Sequence, residues 1–427
     1  MKVLEKISLF SSKKDVFLLF AFILSLLSIS LSFEYYKYKE LTKFDSQLLG
    51  ATVQKAYIKT KRTKKGTLKS YEILKLKSDD GLVFYTLASK KLTNMQGKHL
   101  HVEIWAGNIS FKEYIQGFFA FSKILKIDTE PTLKQELALF IQKQHANKDI
   151  ASMYKALFLA TPLAQNMQKQ FSNLGISHLI AISGFHLGVL AAILFFLIKY
   201  PYKILQNRYF PYRSYKRDSF IIVTVTLLGY LLFIGSPPSL LRAFVMLVVG
   251  FIFYDRGIQI ISMQTLLVTL LLILALFPKL LFSIGFWLSI SGVFYIFLFL
   301  IHFKDASKLK QFLLLPFWVY LMMLPFSLAI FGNFSLYHPL SIIWTSLFTL
   351  FYPLAIVLHV SGFGNILDTP LEYLLHVNTH AVQILLPKGY LIVEILLSLV
   401  AIFSKKALYL LLSYSFFIFI YFIYNVA

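Results

Sequence analysis

Cysteine is absent from all 427 residues, which excludes disulfides and thiolate metal ligands and leaves the redox compartment unread. Acidic residues are scarce: 20 Asp and Glu stand against 42 Lys and Arg, a formal net charge of +22. No G-x-x-x-x-G-K-[ST] run occurs, so the chain carries no P-loop of its own. No clustered His/Asp metal motif is visible, and neither a metal nor any other cofactor is expected. Polar surface is also too scarce for a soluble fold. Hydrophobic residues make up 57% of the chain, with 43 Phe and 25 Tyr, more apolar area than a soluble domain can bury.

The apolar residues fall into runs that match the ~20 residues a helix needs to cross a bilayer. The first, Val16 to Phe33, follows Lys2, Lys6, Lys13 and Lys14, and no small-residue cleavage site comes after it. It reads as a retained anchor, residues 1–36, with a cytoplasmic N-terminus. Further runs occupy 176–198, 219–235, 239–254, 259–277, 281–301, 312–331, 338–360, 389–403 and 407–425. Segment 361–388, with Glu372, His376, His380 and Pro387, reads as interfacial or re-entrant. The fold class is therefore a polytopic α-helical membrane protein of about nine or ten transmembrane helices. Lys199, Lys203, Arg208, Arg213, Lys216 and Arg217 mark one cytoplasmic loop, and Lys304, Lys308 and Lys310 another.

Residues 37–115 differ in composition and read as a small external β-barrel, OB-fold-like, inserted after the anchor and facing the periplasm. His99–Trp105 alternates, with Leu100, Val102 and Ile104 on one face; Leu82–Ala88 and Leu68–Lys77 are further strands. Turn signals stand at Lys65-Gly66 and Asp79-Asp80-Gly81. Lys55, Lys59, Lys61, Arg62, Lys64, Lys65, Lys69, Lys75 and Lys77 crowd one stretch of this module with a single acid, Glu72. Long external domains escape the positive-inside rule, so topology does not explain the cluster. It suits a phosphate backbone, with Tyr71 or Trp105 available to stack bases, or it is a solvated strand face. Residues 116–175 read as a helical linker region, with helices at Thr132–His145 and Asp149–Asn173 broken at Pro162. The membrane domain proper then spans 176–427.

Two clusters in the apolar part stand out. In Gly175–Gly188 (GISHLIAISGFHLG), His178 and His186 project within ~80° of each other on a regular helix. Gly184 and Gly188 form a GxxxG that admits a second helix backbone, with Ser177, Ala181 and Ser183 nearby. Polar groups at such depth either line a wet cavity or bond to neighbouring carbonyls. In Ser236–Met246 (SPPSLLRAFVM), Ser236 or Ser239 can cap the helix that follows the prolines. Arg242 then lies about one turn inside an apolar span, where its fork suits a phosphate or the side chain snorkels.

Together these runs resemble the core signature of bacterial competence proteins of the ComEC type. Phe277-Pro278 with Gly285-Phe286-Trp287-Leu288-Ser289, and Leu324–Ser335 (LPFSLAIFGNFS), resemble that family's next stretches in order. The resemblance implies an inner-membrane channel that passes single-stranded DNA into the cytoplasm during natural transformation. It places Ser177, His178, Ser183, Gly184, His186, Ser239 and Arg242 on the DNA pathway. Its implied partners are single-stranded DNA, membrane lipids, a periplasmic DNA-binding competence protein and a cytoplasmic motor or single-strand-binding proteins. Many members carry a C-terminal metallo-β-lactamase-like domain that this sequence lacks, so no catalytic residue and no DNA cleavage is expected. Two other classes fit the residues alone. One is a transporter or flippase for an anionic lipid or polysaccharide. The other is an intramembrane hydrolase, for which Ser183 needs a His from another helix, since His178 lies ~140° away.

Overall fold

A computed structural model describes residues 12–62, 68–87, 97–128 and 132–426, and divides into two compact units. One unit comprises Val16–Glu136 with Leu272–Phe282. It opens with α1 (Lys13–Leu41), then β1 (Gln47–Arg62), β2 (Leu68–Ser78), β3 (Val83–Leu87) and β4 (His99–Trp105). A short α2 (Phe111–Gln116) precedes β5 (Phe118–Phe119) and β6 (Phe121–Ile127). The six strands form one sheet in the order β5-β3-β2-β1-β4-β6. All pairs are antiparallel except β3 with β5. Because β5 and β6 are one stretch of chain interrupted at Ala120, a single segment supplies both ends of the sheet. The sheet curls back on itself, the partly open order of a small OB-fold-like barrel.

Alternation explains the curl. Leu100, Val102 and Ile104 of β4, Leu74 and Leu76 of β2, and Phe84 of β3 are fully buried and pack together with Val53. Each such side chain contributes ~1.5–3 kcal/mol when withdrawn from water. The Asp79-Asp80-Gly81 turn forms as expected, with Gly81 at φ +81° and its N–H bonded to Ser78 O at 2.9 Å. The Lys65-Gly66 turn lies outside the described residues. The expected boundary at 115 falls short: β5 pairs with β3 and β6 with β4, so the sheet runs on to Ile127, where a helical linker was expected.

The second unit holds Leu137–Leu271 and Ser283–Ala427. After α3 (Leu133–Lys143), α4 (Lys148–Leu159) and α5 (Gln165–Asn173) flank the Pro162 break. A single turn, α6 (Ser177–Ile180), precedes α7 (Gly184–Tyr209), α8 (Tyr215–Phe233), α9 (Pro238–Asp255) and α10 (Met263–Leu276). Then come α11 (Ile284–His302), α12 (Lys308–Ile330), the short strand β7 (Asn333–Phe334) and α13 (Ser341–Val360). Segment 361–388 contains α14 (Asp368–His376) and β8 (Val382–Gln383), and no span. The chain closes with α15 (Lys388–Ala401) and α16 (Lys405–Val426).

Among the described residues, 7 helices are long and apolar enough to cross a membrane. Three of the expected runs form helices outside that set. The first turn of α8 is charged, and α10 and α15 have 14 residues each, ~21 Å of rise against ~30 Å of hydrocarbon. The basic stretch expected as a loop is largely helical, since α7 continues through Pro201 to Tyr209 and carries Lys199, Lys203 and Arg208.

Candidate functional site

The Gly175–Gly188 run is not one helix. Gly175 takes φ +72°, and a Cβ there would stand 3.1 Å from the His338 backbone. After the single turn of α6, Ala181 (ψ 127°) and Ser183 (φ −133°, ψ 177°) are extended, and α7 starts afresh at Gly184. The ~80° relation between His178 and His186 therefore fails. Ser177, His178 and Ala181 are exposed, with His178 Nε2 3.3 Å from Thr345 Oγ1. His186 is fully buried; its Nδ1 accepts from the Ser183 N–H (3.2 Å) and faces Ser183 Oγ (3.0 Å). Nδ1 is thus the acceptor and Nε2 carries the proton, buried with no close hydrogen-bond partner among the described residues, while the ring meets Tyr352 edge-on at 4.5 Å.

A break in a helix frees carbonyls, and a second helix answers for one of them. Ser239 Oγ donates to Ile182 O at 2.7 Å. Neither serine caps α9 as expected: its N-cap is Pro237, and Ser236 Oγ turns back to Leu231 O. Gly184 explains how closely α9 approaches. A Cβ built on it would lie 3.1 Å from Ala243 Cβ, whereas Gly188 has nothing within 4 Å. Only the first glycine of the GxxxG makes a close helix contact.

Arg242 neither snorkels nor stands free. It is 2% exposed, and Nη1 donates to Gly285 O (3.1 Å) and Phe286 O (3.4 Å) in the first turn of α11, with Phe286's ring 5.9 Å away. Carbonyls hold it rather than a carboxylate, so its charge stays uncancelled among the described residues. Ser183, Gly184, Ser239 and Arg242 thus tie the starts of α7, α9 and α11 together. The positive ends of three helix dipoles meet beside a buried cation. Asn333 adds the fourth motif, with Nδ2 2.8 Å from Ser172 Oγ just ahead of Gly175.

The hydrolase constellation takes an unexpected form. Ser183 has a His partner from its own helix, not another, but that contact serves the helix start and no carboxylate meets Nε2. Glu394, fully buried in α15, bonds instead to Ser415 Oγ (3.0 and 3.1 Å) and Tyr295 OH (3.5 Å).

Sequence reasoning missed a second buried cluster. His359 Nδ1 donates to Ala355 O (2.7 Å), its Nε2 lies 3.0 Å from His145 Nε2, and His145 Nδ1 lies 2.8 Å from Asp368 Oδ1. Tyr154 stacks on His145 at 4.8 Å. Three contacts in series need three hydrogens, one more than two neutral imidazoles supply, so Asp368 and His145 share the third. Burial raises the Asp368 carboxyl, against the lowering pull of His145. No spacing signals a pairing between residues 223 positions apart.

In the β module, the register sets Lys55 opposite Lys75, Lys59 opposite Tyr71 and Lys61 opposite Lys69, with Arg62 opposite Leu68. Lys64 and Lys65 fall at 63–67, outside the described residues. Tyr71 is exposed, and Lys75 and Lys77 are half-buried between Leu74, Leu76 and Ser78. Burial lowers Lys77; burial and then the Lys77 charge lower Lys134, a sign of crowded cations. Trp105 does not join them. It pairs with Phe121 at the far end of β1's partners, ~40 Å along the strand from Lys59, and lines a 720 Å³ groove with Phe119, Phe121, Asp45 and Glu113.

The fold also corrects the expectation of no His/Asp cluster: His99, His101 and Asp128 converge, with His99 Nδ1 2.7 Å and His101 Nε2 3.4 Å from Asp128 Oδ2. The H-x-H on one strand face was the available signal. Burial disfavours charge on His99, but bonds to Asp79 and Asp128 outweigh it and raise the imidazole; the bond from His99 lowers Asp128.

A family model described as Competence protein matches residues 161–426, more than half of the chain and all of the joined helix starts. The chain belongs to the Competence protein family. No curated protein and no solved structure matches it. Membership together with the apolar helices makes this competence protein a membrane channel protein of DNA uptake. Three of the motifs that mark the family resemblance meet at the break before α7.

Proposed function

We propose that this competence protein passes single-stranded DNA through the bacterial inner membrane into the cytoplasm, as a channel and not as an enzyme. The observation that carries the proposal is the junction of the α7, α9 and α11 starts around Arg242. A strand carries one negative charge per nucleotide, and bare hydrocarbon rejects it. Helix N-termini and an uncancelled guanidinium favour an anion instead, and irregular backbone at membrane depth belongs where it lines a cavity. Ser177 and His178, exposed beside the break, are the groups that meet the strand, while Ser183, Gly184, His186, Ser239 and Arg242 hold the break open.

The basic register of β1 and β2 supplies the entry surface. Strands β1 and β2 carry Lys55, Lys59, Lys61, Arg62, Lys69, Lys75 and Lys77, a run of positive charge that suits a polyanion. In this reading the N-terminus is cytoplasmic and the β module periplasmic. A periplasmic DNA-binding protein delivers the strand, and a cytoplasmic motor or single-strand-binding proteins draw it in.

The test is import of fluorescent DNA by cells deleted for the gene and complemented with wild type, Arg242→Ala or His178→Ala. Loss of cytoplasmic signal with periplasmic signal intact supports the proposal. Normal import in the deletion strain removes it and revives an anionic lipid or polysaccharide as cargo.

A further inference from the structure

The geometry points to a divalent transition-metal site on the β module, with His99 Nδ1, His101 Nε2 and Asp128 Oδ2 as ligands, Asp79 as the orienting carboxylate, and zinc as the best-suited ion. The site is independent of the DNA reading and of the helical unit. His99 and His101 are two residues apart on β4, so both imidazoles leave the same face, the one opposite Leu100 and Val102. Asp128 follows β6 directly, and its N–H bonds to His99 O at 3.0 Å, which fixes the carboxylate beside the two rings.

A tetrahedral ion with bonds of ~2.0–2.2 Å holds its ligand atoms ~3.3 Å apart. His101 Nε2 and Asp128 Oδ2 stand at 3.4 Å, and all three ligand atoms lie within 4.8 Å of one another. His99 Nδ1 and Asp128 Oδ2, now hydrogen-bonded at 2.7 Å, have to open by ~0.6 Å to reach that spacing.

The second ring nitrogen makes the case more specific. His99 Nε2 lies 3.0 Å from Asp79 Oδ1 in the β2–β3 turn. A carboxylate on the far nitrogen fixes the proton there and leaves Nδ1 as the basic, metal-facing atom, the arrangement that metal-bound histidines usually have. Without metal the same two contacts demand an imidazolium, because both carboxylates only accept. A metal ion replaces the Nδ1 proton and leaves Asp79 in place. Lys126, with Nζ 3.8 Å from Asp128 Oδ1, engages the other carboxylate oxygen. Three protein ligands leave a fourth position open, and His101, 49% exposed, sets it toward solvent. The ion would tie β4 to the end of β6, with the β2–β3 turn held through Asp79.

The test uses the full chain without a His tag, purified in detergent, stripped with chelator and titrated with Co²⁺, then back-titrated with Zn²⁺. The expected result is the intense visible absorption of tetrahedral Co²⁺, saturating at one ion per chain and bleached by one equivalent of Zn²⁺. Asp128→Asn and His101→Gln, at partly exposed positions that leave the sheet intact, abolish the band, and circular dichroism checks the fold of each. Asp79→Asn weakens binding ~10–100-fold without removing it. No band in the wild type, or a band that survives in both His101→Gln and Asp128→Asn, overturns the site.

Discussion

Gly184 is where a single methyl group tests the junction. Its ideal Cβ lies 3.1 Å from Ala243 Cβ, inside the 3.4–4 Å of ordinary contact. Gly184→Ala therefore forces α7 and α9 apart by ~0.3–0.9 Å, or strains both, at a cost of ~1–3 kcal/mol. The gain in helix propensity offsets little of this, because Gly184 is the first residue of α7. Gly188→Ala is the internal control: with nothing within 4 Å, it is neutral or slightly stabilising. Ala243→Gly alone costs ~1 kcal/mol of propensity within α9. The Gly184→Ala/Ala243→Gly pair moves the methyl from one helix to the other and restores the spacing. A double-mutant cycle should return ~0.5–3 kcal/mol of favourable coupling. Thermal unfolding in detergent reads the stability, and transformation frequency reads the function. If Gly184→Ala proves as benign as Gly188→Ala, or Ala243→Gly recovers nothing, the close approach of α7 and α9 is not real.

Other substitutions separate support from passage. Ser239→Ala strips Ile182 O of its donor, and a buried orphaned acceptor costs ~1–3 kcal/mol in thermal unfolding, whereas Ser239→Thr keeps the hydroxyl and should lie near wild type. Arg242→Met keeps the length of the side chain but removes the charge and the donor to Gly285 O and Phe286 O, costing ~1–3 kcal/mol, while Arg242→Lys keeps a charged donor. DNA entry should fall in Arg242→Met more than in Arg242→Lys, and equal entry would show that the charge is idle. Asp368→Asn can donate its amide to neutral His145 and complete the hydrogen-bond series, so it should be tolerated where Asp368→Ala loses ~1–3 kcal/mol. Because the Asp368 carboxyl is raised in the fold, its contribution is full below its unfolded value and fades as pH rises through the raised one; Asp368→Asn should abolish that decline.

What could be read in advance follows from how local each cause is. Strand β4 was legible to the residue because strict alternation of Leu100, Val102 and Ile104 has no helical alternative. Strand β1, the longest at 16 residues, was not: a bulge between Val53 and Lys55 breaks its period, and its second half is mostly charged. The unwound Ala181–Ser183 carries neither proline nor glycine, so nothing local announces it. Its stability comes from Ser239, 57 positions away. Arg242 looked like a phosphate ligand because its partners are main-chain carbonyls, which have no letter in a sequence. The motifs indicated the right region, and the fold alone showed that most of their polar groups hold one another.

The most direct measurement places a photoreactive amino acid at single positions and irradiates cells while labelled DNA is in transit. Substitution at His178 or Ala181, exposed beside the helix break, should yield protein–DNA crosslinks. Substitution at Leu350, 75% exposed on the apolar face of α13, should yield none. Crosslinks at Leu350 with His178 silent would contradict passage along the junction of α7, α9 and α11.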